Sequence, residues 1–356
     1  MKMDVLILTA LAIAANSIAG EAMKPAVMEN MSFLGRWDHR ASGSCASAPN
    51  ALVKFNADAK SVTFDLEGYS RWRFDVDGKP VTLFETNGRV VKKLGAVGDG
   101  KFHSYRLIKI SESNPGEVCL HDITLDAGAK FGPKPAPSNR RVEFIGDSFT
   151  VGFGDEGTST DPPEMEFEKT DASKSYAFIL ADNFKADFQI NAVSGRGLVR
   201  NYANIVPEWT LETLYEYTMM GAPELEPNSE RWNFDKFHPQ VVVVFVGIND
   251  FQGEPPYADV TQFKAAYAKL LDRLRSLHPG VKFLLVSTKT WPNDALTPVV
   301  EDIYKSQVEA GHNDLMYKLV YTDNTALHGH PNEMSQKELA NTLRPIVGRL
   351  GGWLSR

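Results

Sequence analysis

Cysteine is nearly absent from this sequence: Cys45 and Cys119 are the two it holds, both in its first third. They allow one disulfide at most. In an oxidising compartment a bridge closing so long a loop would stabilise by ~4 kcal/mol on the loop-entropy argument. Two buried thiols that never meet are equally compatible with the pattern. Beyond the first residues there is no apolar run long enough to span a bilayer, which excludes later transmembrane helices. There is no excess of positive charge either. A formal net charge of -7 argues against nucleic acid or an anionic membrane as the main partner. Internal repeats and low-complexity tracts are missing as well.

What is present begins with an export pattern. Lys2 precedes the apolar run Val5–Ala15, and Ser17-Ile18-Ala19 offers small residues where a signal peptidase reads. Residues 1–19 are therefore expected to be a signal peptide, with the mature chain starting near Gly20 or Glu21. A buried N-terminal helix is the alternative, since Asp4 dilutes the positive end. No cysteine follows the run, which argues against a lipid anchor at the cut.

A chain of 356 residues exceeds what one hydrophobic core usually serves, so two domains are expected. Their periodicities differ. From about Ser32 to Asp126 apolar residues alternate with polar ones, as in Val62, Phe64, Leu66 and in Trp72, Phe74, Val76. Asp77-Gly78 and Asn87-Gly88 are the turn pairs favoured in tight hairpins. Short alternating strands with regular turns read as a β-sandwich over residues 22–126. The Pro- and Gly-rich stretch 127–139 reads as a connector.

Residues 140–356 follow another grammar. Short, continuously apolar segments suit parallel strands buried on both faces: Val142–Ile145, Phe188–Val193, Val241–Val246, Lys282–Val286 and Leu319–Tyr321. Helical stripes lie between them, best seen in Phe263, Tyr267, Leu270, Leu274 and Leu277, with a last helix from about Met334 to Ile346. Alternating strand and helix implies a three-layer α/β/α domain.

In such sheets ligands bind beyond the carboxyl ends of the strands, and four of those ends carry unusual polar residues. Gly146-Asp147-Ser148 follows the first. A serine at this turn presents its hydroxyl at the sheet edge and its N–H at a helix N-terminus, although capping is its commoner job. Gly195, after the second strand, lets the backbone point an N–H at a bound group, or is an ordinary glycine turn. Gly247-Ile248-Asn249-Asp250 follows the third. Asn249 would bring a neutral side-chain donor of the kind a developing oxyanion needs; alternatively Asn249 or Asp250 caps a following helix. His328-Gly329-His330-Pro331-Asn332 follows the last. An imidazole there can take a proton from Ser148 and return it to a leaving alcohol. The two histidines also resemble a metal pair, but no Cys or carboxylate stands nearby at matching ligand spacing. Nucleophile, oxyanion donors (the Ser148 and Gly195 N–H groups and the Asn249 amide) and base His330 form the set acyl transfer requires.

These blocks, in this order and strand context, resemble the SGNH, or GDSL, hydrolase superfamily across about Arg141 to Arg356. The sandwich in front, together with Gly146–Gly154, resembles carbohydrate esterase family two more narrowly. That resemblance implies a β jelly roll joined to an SGNH domain. It also implies removal of acetyl groups from hemicellulose such as xylan or glucomannan, with Ser148, Gly195, Asn249 and His330 in the family's roles. No cofactor, metal, nucleic acid or membrane partner is expected. One departure stands out. The superfamily usually carries an Asp two or three residues before the catalytic His, and here those positions hold His328 and Leu327. Asp323 lies further upstream. A Ser–His dyad is therefore expected, with a backbone carbonyl near His328 orienting the ring. Long connections, from Asp155 to Asp171 and from Asn201 to Asp235, are expected to shape a cleft. Trp209, Trp232 and Trp291 are candidates to stack on sugar rings there, or are simply large, half-buried side chains. Competing readings are a general short-chain ester or thioester hydrolase, and a carbohydrate-binding protein with a vestigial catalytic domain. A vestigial site should have lost one of the four residues, and none is lost.

Overall fold

The structure, a computed structural model, describes residues 28–113, 116–221 and 230–354. The expected export signal lies outside them. Among the described residues no helix is long and apolar enough to cross a membrane.

The N-terminal part holds two five-stranded antiparallel sheets. One joins strands Ser32–Leu34, Leu52–Ala57, His103–Lys109, Ser70–Val76 and Lys79–Thr86 in that spatial order. The other joins Asp38–Arg40, Gly43–Ala46, Val118–Leu125, Ser61–Glu67 and Val90–Gly95. Alternation places one face of each strand inward. Val62, Phe64, Leu66, Trp72 and Phe74 are all buried. Phe64 meets Phe74 edge-on at 5.6 Å and Phe55 at 6.3 Å, so the two sheets share one core.

Asp77-Gly78 closes a hairpin between adjacent strands, with φ of +50° and +76°. Asn87-Gly88 does not. It carries the chain from Lys79–Thr86 in one sheet to Val90–Gly95 in the other. The dipeptide specifies a reversal of direction, whereas the partner is chosen by which face the next strand must bury. Cys45 and Cys119 face each other on neighbouring strands and form a disulfide.

The second part is a parallel sheet of strands β1 (Arg141–Gly146), β2 (Asp187–Ala192), β3 (Val241–Phe245), β4 (Lys282–Ser287) and β5 (Leu315–Leu319), in the order β2-β1-β3-β4-β5. Strand β3 is buried throughout, as a central strand covered on both faces must be. Helices α1 (Ser148–Val151), α2 (Tyr176–Phe184), α3 (Ile248–Phe251), α4 (Val260–Leu277), α5 (Leu296–Glu309) and α6 (Glu333–Leu350) follow. Phe263, Tyr267, Leu270 and Leu274 line the buried stripe of α4. Each such side chain contributes about 1.5–3 kcal/mol when fully buried. Strand β5 ends at Leu319, where the sequence pattern had it begin. It is an edge strand, half-buried over most of its length, so its Leu-Met-Tyr-Lys-Leu run carries no continuous apolar signal.

Candidate active site

The carboxyl ends of β1, β2 and β3 and the turn before α6 meet around a cavity of about 330 Å³. Ser148, Gly195, Asn249 and His330 all line it, with Phe149, Phe153, Ser194, Tyr202, Gln252 and His328 among their neighbours.

Ser148 opens α1 and is 5% exposed. Asp147 caps this helix, its carboxylate accepting from the Phe149 N–H at 3.1 Å. Burial, opposed in part by that bond, pushes the Asp147 carboxyl up to about 8.

His330 lies 2.9 Å through Nε2 from the Ser148 hydroxyl. Its Nδ1 is 3.0 Å from the carbonyl oxygen of Leu327, which also accepts the His330 backbone N–H at 3.1 Å. The ring therefore folds back over its own turn, in which His328 and Gly329 have φ of +53° and +70°. Asn332 then caps α6 by accepting from the Ser335 N–H at 2.9 Å, fixing the helix start behind the histidine. Gly154 holds the turn from the other side. A Cβ there would come within 2.5 Å of the Leu327 side chain. Phe153 and Phe149 flank the imidazole at 4.7 and 5.6 Å between ring centres. Burial pushes its pKa down to about 4, the Leu327 bond pulling back and the neighbouring His328 lowering it further. Asp323 is exposed and meets α6 through its backbone: its N–H and carbonyl both bond the Ser335 hydroxyl at 3.0 Å.

Asn249 donates one amide hydrogen to the Arg196 carbonyl at 3.0 Å, and its side chain lines the cavity that Gly195 also lines. Two residues not singled out in the sequence fix this pair of loops. Asp250 accepts from the N–H groups of Leu198, Val199 and Arg200 at 2.8–2.9 Å. Arg200 donates back to the Asn249 carbonyl at 2.6 Å and to the Glu254 carbonyl at 2.7 Å. The neighbouring Asn249 marked Asp250 only as a possible cap, and no local signal marked Arg200.

The three tryptophans part company. Trp232 is 7% exposed, lies against the Arg36 and Lys236 cations, and borders a groove with Asp187 and Phe188. Those two residues begin β2, so Trp232 sits at the opposite end of the sheet from Ser148 and offers no face to a sugar there. Trp209 is half-buried edge-on against Tyr217. Trp291 is 71% exposed, and its carbonyl accepts from Gly253, beside the cavity residue Gln252.

A parallel sheet carrying this constellation at its carboxyl edge defines a GDSL-type carboxylic ester hydrolase. Residues 144–312 match the GDSL-like lipase/acylhydrolase family, and residues 33–135 match the carbohydrate esterase 2 N-terminal family. The chain is 30% identical over 306 residues to an acetylxylan esterase / glucomannan deacetylase of Cellvibrio japonicus, covering 81% of this chain and 80% of that protein. It is 32% identical over 327 residues to the cellulase/esterase CelE of Acetivibrio thermocellus, covering 87% of this chain but 38% of that longer protein. A family two carbohydrate esterase from Clostridium thermocellum, solved with cellohexaose, superposes with a TM-score of 0.82 at 27% identity, covering 91% of this chain and all of that one. The chain belongs to carbohydrate esterase family two.

Proposed function

We propose that this protein is an exported esterase that removes O-acetyl groups from a hemicellulose such as xylan or glucomannan, through a Ser148–His330 dyad and an acetyl-enzyme. The observation that carries the reading is the Ser148 hydroxyl 2.9 Å from a histidine whose far nitrogen faces a backbone carbonyl. Residues 1–19 are its export signal, 22–126 its jelly-roll domain, 127–139 its connector and 140–356 its catalytic domain. Trp291, exposed and joined through its carbonyl to Gly253 beside Gln252, is the tryptophan taken to meet the polysaccharide. The substrate class draws support from the named activity of the Cellvibrio relative and from the cellohexaose bound by the Clostridium enzyme.

In this mechanism the Ser148 oxygen attacks the acetyl carbonyl while His330 Nε2 takes its proton. The negative oxygen that forms is held by the N–H groups of Ser148 and Gly195 and by the Asn249 amide. Collapse expels the sugar alkoxide, which His330 protonates. Water, deprotonated by His330, then attacks the acetyl-Ser148 ester; the second tetrahedral adduct collapses by expelling the Ser148 oxygen, which takes the proton back from His330, and acetate is released.

The function is tested by measuring acetate released from acetylated xylan and glucomannan against simple aliphatic acetate esters. A higher kcat/KM on the acetylated glycan is expected. Equal or better turnover of simple esters would favour the general esterase reading, and no turnover of either would favour the vestigial one.

Asn249→Ala is expected to lower kcat about 10²- to 10³-fold, the usual loss for one oxyanion donor. Near-normal turnover in that variant would remove Asn249 from the oxyanion hole.

The pH dependence follows from the base. His330 must be neutral to accept the proton, and its folded pKa is pushed down to about 4. Activity is therefore expected to persist as pH falls past the ordinary histidine value of about 6.5, and to fail near 4. A kcat/KM profile whose acid limb has its midpoint at 6.5 or above would contradict this.

A further inference from the structure

We propose that the N-terminal β-domain completes the catalytic site, with Glu112 as a positioning residue that holds Ser194 and, through it, the Gly195 N–H. Glu112 lies on the loop that leaves strand His103–Lys109 and reaches under the carboxyl end of β2. Two contacts bracket the turn there. The Ser113 hydroxyl donates to the carbonyl of Ala192, the last residue of β2, at 2.8 Å. The Ser194 hydroxyl donates to Glu112 Oε1, one residue before Gly195. Both Ser194 and Gly195 line the cavity, so the loop of one domain braces the wall of the other's site.

The loop is itself built for this approach. Glu112 Oε2 accepts the Ser113 N–H at 3.0 Å. The Lys109 ammonium donates to the carbonyls of Ser111, at 3.1 Å, and Glu112. The Ser70 and Ser111 hydroxyls pair at 2.7 Å. Gly221 makes room, since a Cβ there would come within 2.2 Å of the Ser113 carbonyl oxygen.

A buried carboxylate is costly unless paired and hydrogen-bonded, and beside a developing oxyanion it would also be repulsive. The Ser194 hydroxyl and the Ser113 N–H supply the hydrogen bonds, and the Lys109 ammonium, held on the Ser111 and Glu112 backbone carbonyls, lowers the cost through space. Burial pushes Glu112 up and Lys109 down to about 7, and each charge pulls the other back. Glu112 thus keeps an acceptor in place for Ser194.

The inference rests on Gly195 as an oxyanion donor. Its test uses the full chain with Ser194→Ala, Glu112→Ala, Glu112→Gln and the Ser194→Ala/Glu112→Ala double variant, with turnover counted per site titrated by an organophosphonate. Ser194→Ala and Glu112→Ala are each expected to lower kcat about ten- to a hundredfold with KM little changed, as for a small misplacement of a transition-state donor. Affinity for a boronic acid that forms a tetrahedral adduct on Ser148 should fall in parallel. Glu112→Gln keeps an acceptor and should recover most of the activity. The double variant should be no worse than the poorer single, because both remove one interaction. If Glu112→Ala does not fold, Ser194→Ala and Glu112→Gln carry the test alone. Wild-type kcat in Ser194→Ala, or losses that simply multiply in the double variant, would overturn the proposal. A dead Ser148→Ala beside a normal Ser194→Ala would refute only this positioning role, whereas an active Ser148→Ala would refute the site itself.

Discussion

Ser148→Ala is expected to abolish ester hydrolysis, with a loss in kcat on the order of 10⁶ as for other serine nucleophiles. Among the residues lining the cavity, the other serine is Ser194. Its hydroxyl is committed to the Glu112 carboxylate, which holds it away from His330. The fold should survive the change. Asp147 caps α1 without help from the Ser148 side chain, and Ser148's side-chain bond is to His330. The wild-type enzyme should trap an acetyl adduct on rapid acid quench, visible by mass spectrometry of the intact protein, and the variant should not. Thermal unfolding should be little altered, because no core contact is lost. A folded Ser148→Ala that still turned over acetyl esters would mean the nucleophile lies elsewhere.

His330→Ala should fall as far, whereas His328→Ala and Asp323→Ala should keep activity within a few-fold. The argument turns on tautomer. To accept a proton from Ser148 through Nε2, the imidazole must carry its own proton on Nδ1, and something must accept that hydrogen. The Leu327 carbonyl stands 3.0 Å from Nδ1 and does so with its backbone. A carbonyl is neutral: it selects the tautomer but stabilises the imidazolium less than a carboxylate would. The same deficit lets burial dominate the His330 pKa. His328 contributes an unusual backbone conformation to this turn, φ +53°, which histidine tolerates somewhat better than alanine, so a few-fold cost is allowed for His328→Ala. Steady-state kcat for the three variants decides the matter. If Asp323→Ala were as damaging as His330→Ala, a carboxylate would be part of the machinery and the dyad would fail. If His328→Ala were the dead variant, the base would be the wrong histidine.

The backbone acceptor at His330 and the β-domain contact at Ser194 belong to the same site. Each replaces a local device with a contact from a distant segment: Leu327 is held by Gly154, and Ser194 by Glu112. Neither contact leaves a pattern in the sequence around it.

The sequence alone determined the two periodicities, and hence antiparallel sheets followed by a parallel one, because burial of one face or of both imposes its own spacing of apolar residues. It also determined which residue types stand at the ends of the first three parallel strands and before the last helix. Each motif is short enough to be read on its own, although the chemistry needs them brought together from segments far apart in the chain. Tertiary structure decided the rest. Cys45 met Cys119, Asn87-Gly88 became a crossing between sheets, and Trp232 went to the far end of the sheet while Trp291 stayed exposed. Leu327, Asp250, Arg200 and Glu112 acquired their parts through hydrogen bonds to their partners in the site. Periodicity reports how much of a segment is buried; it carries no information about which distant segment does the burying, and these outcomes all hang on that choice.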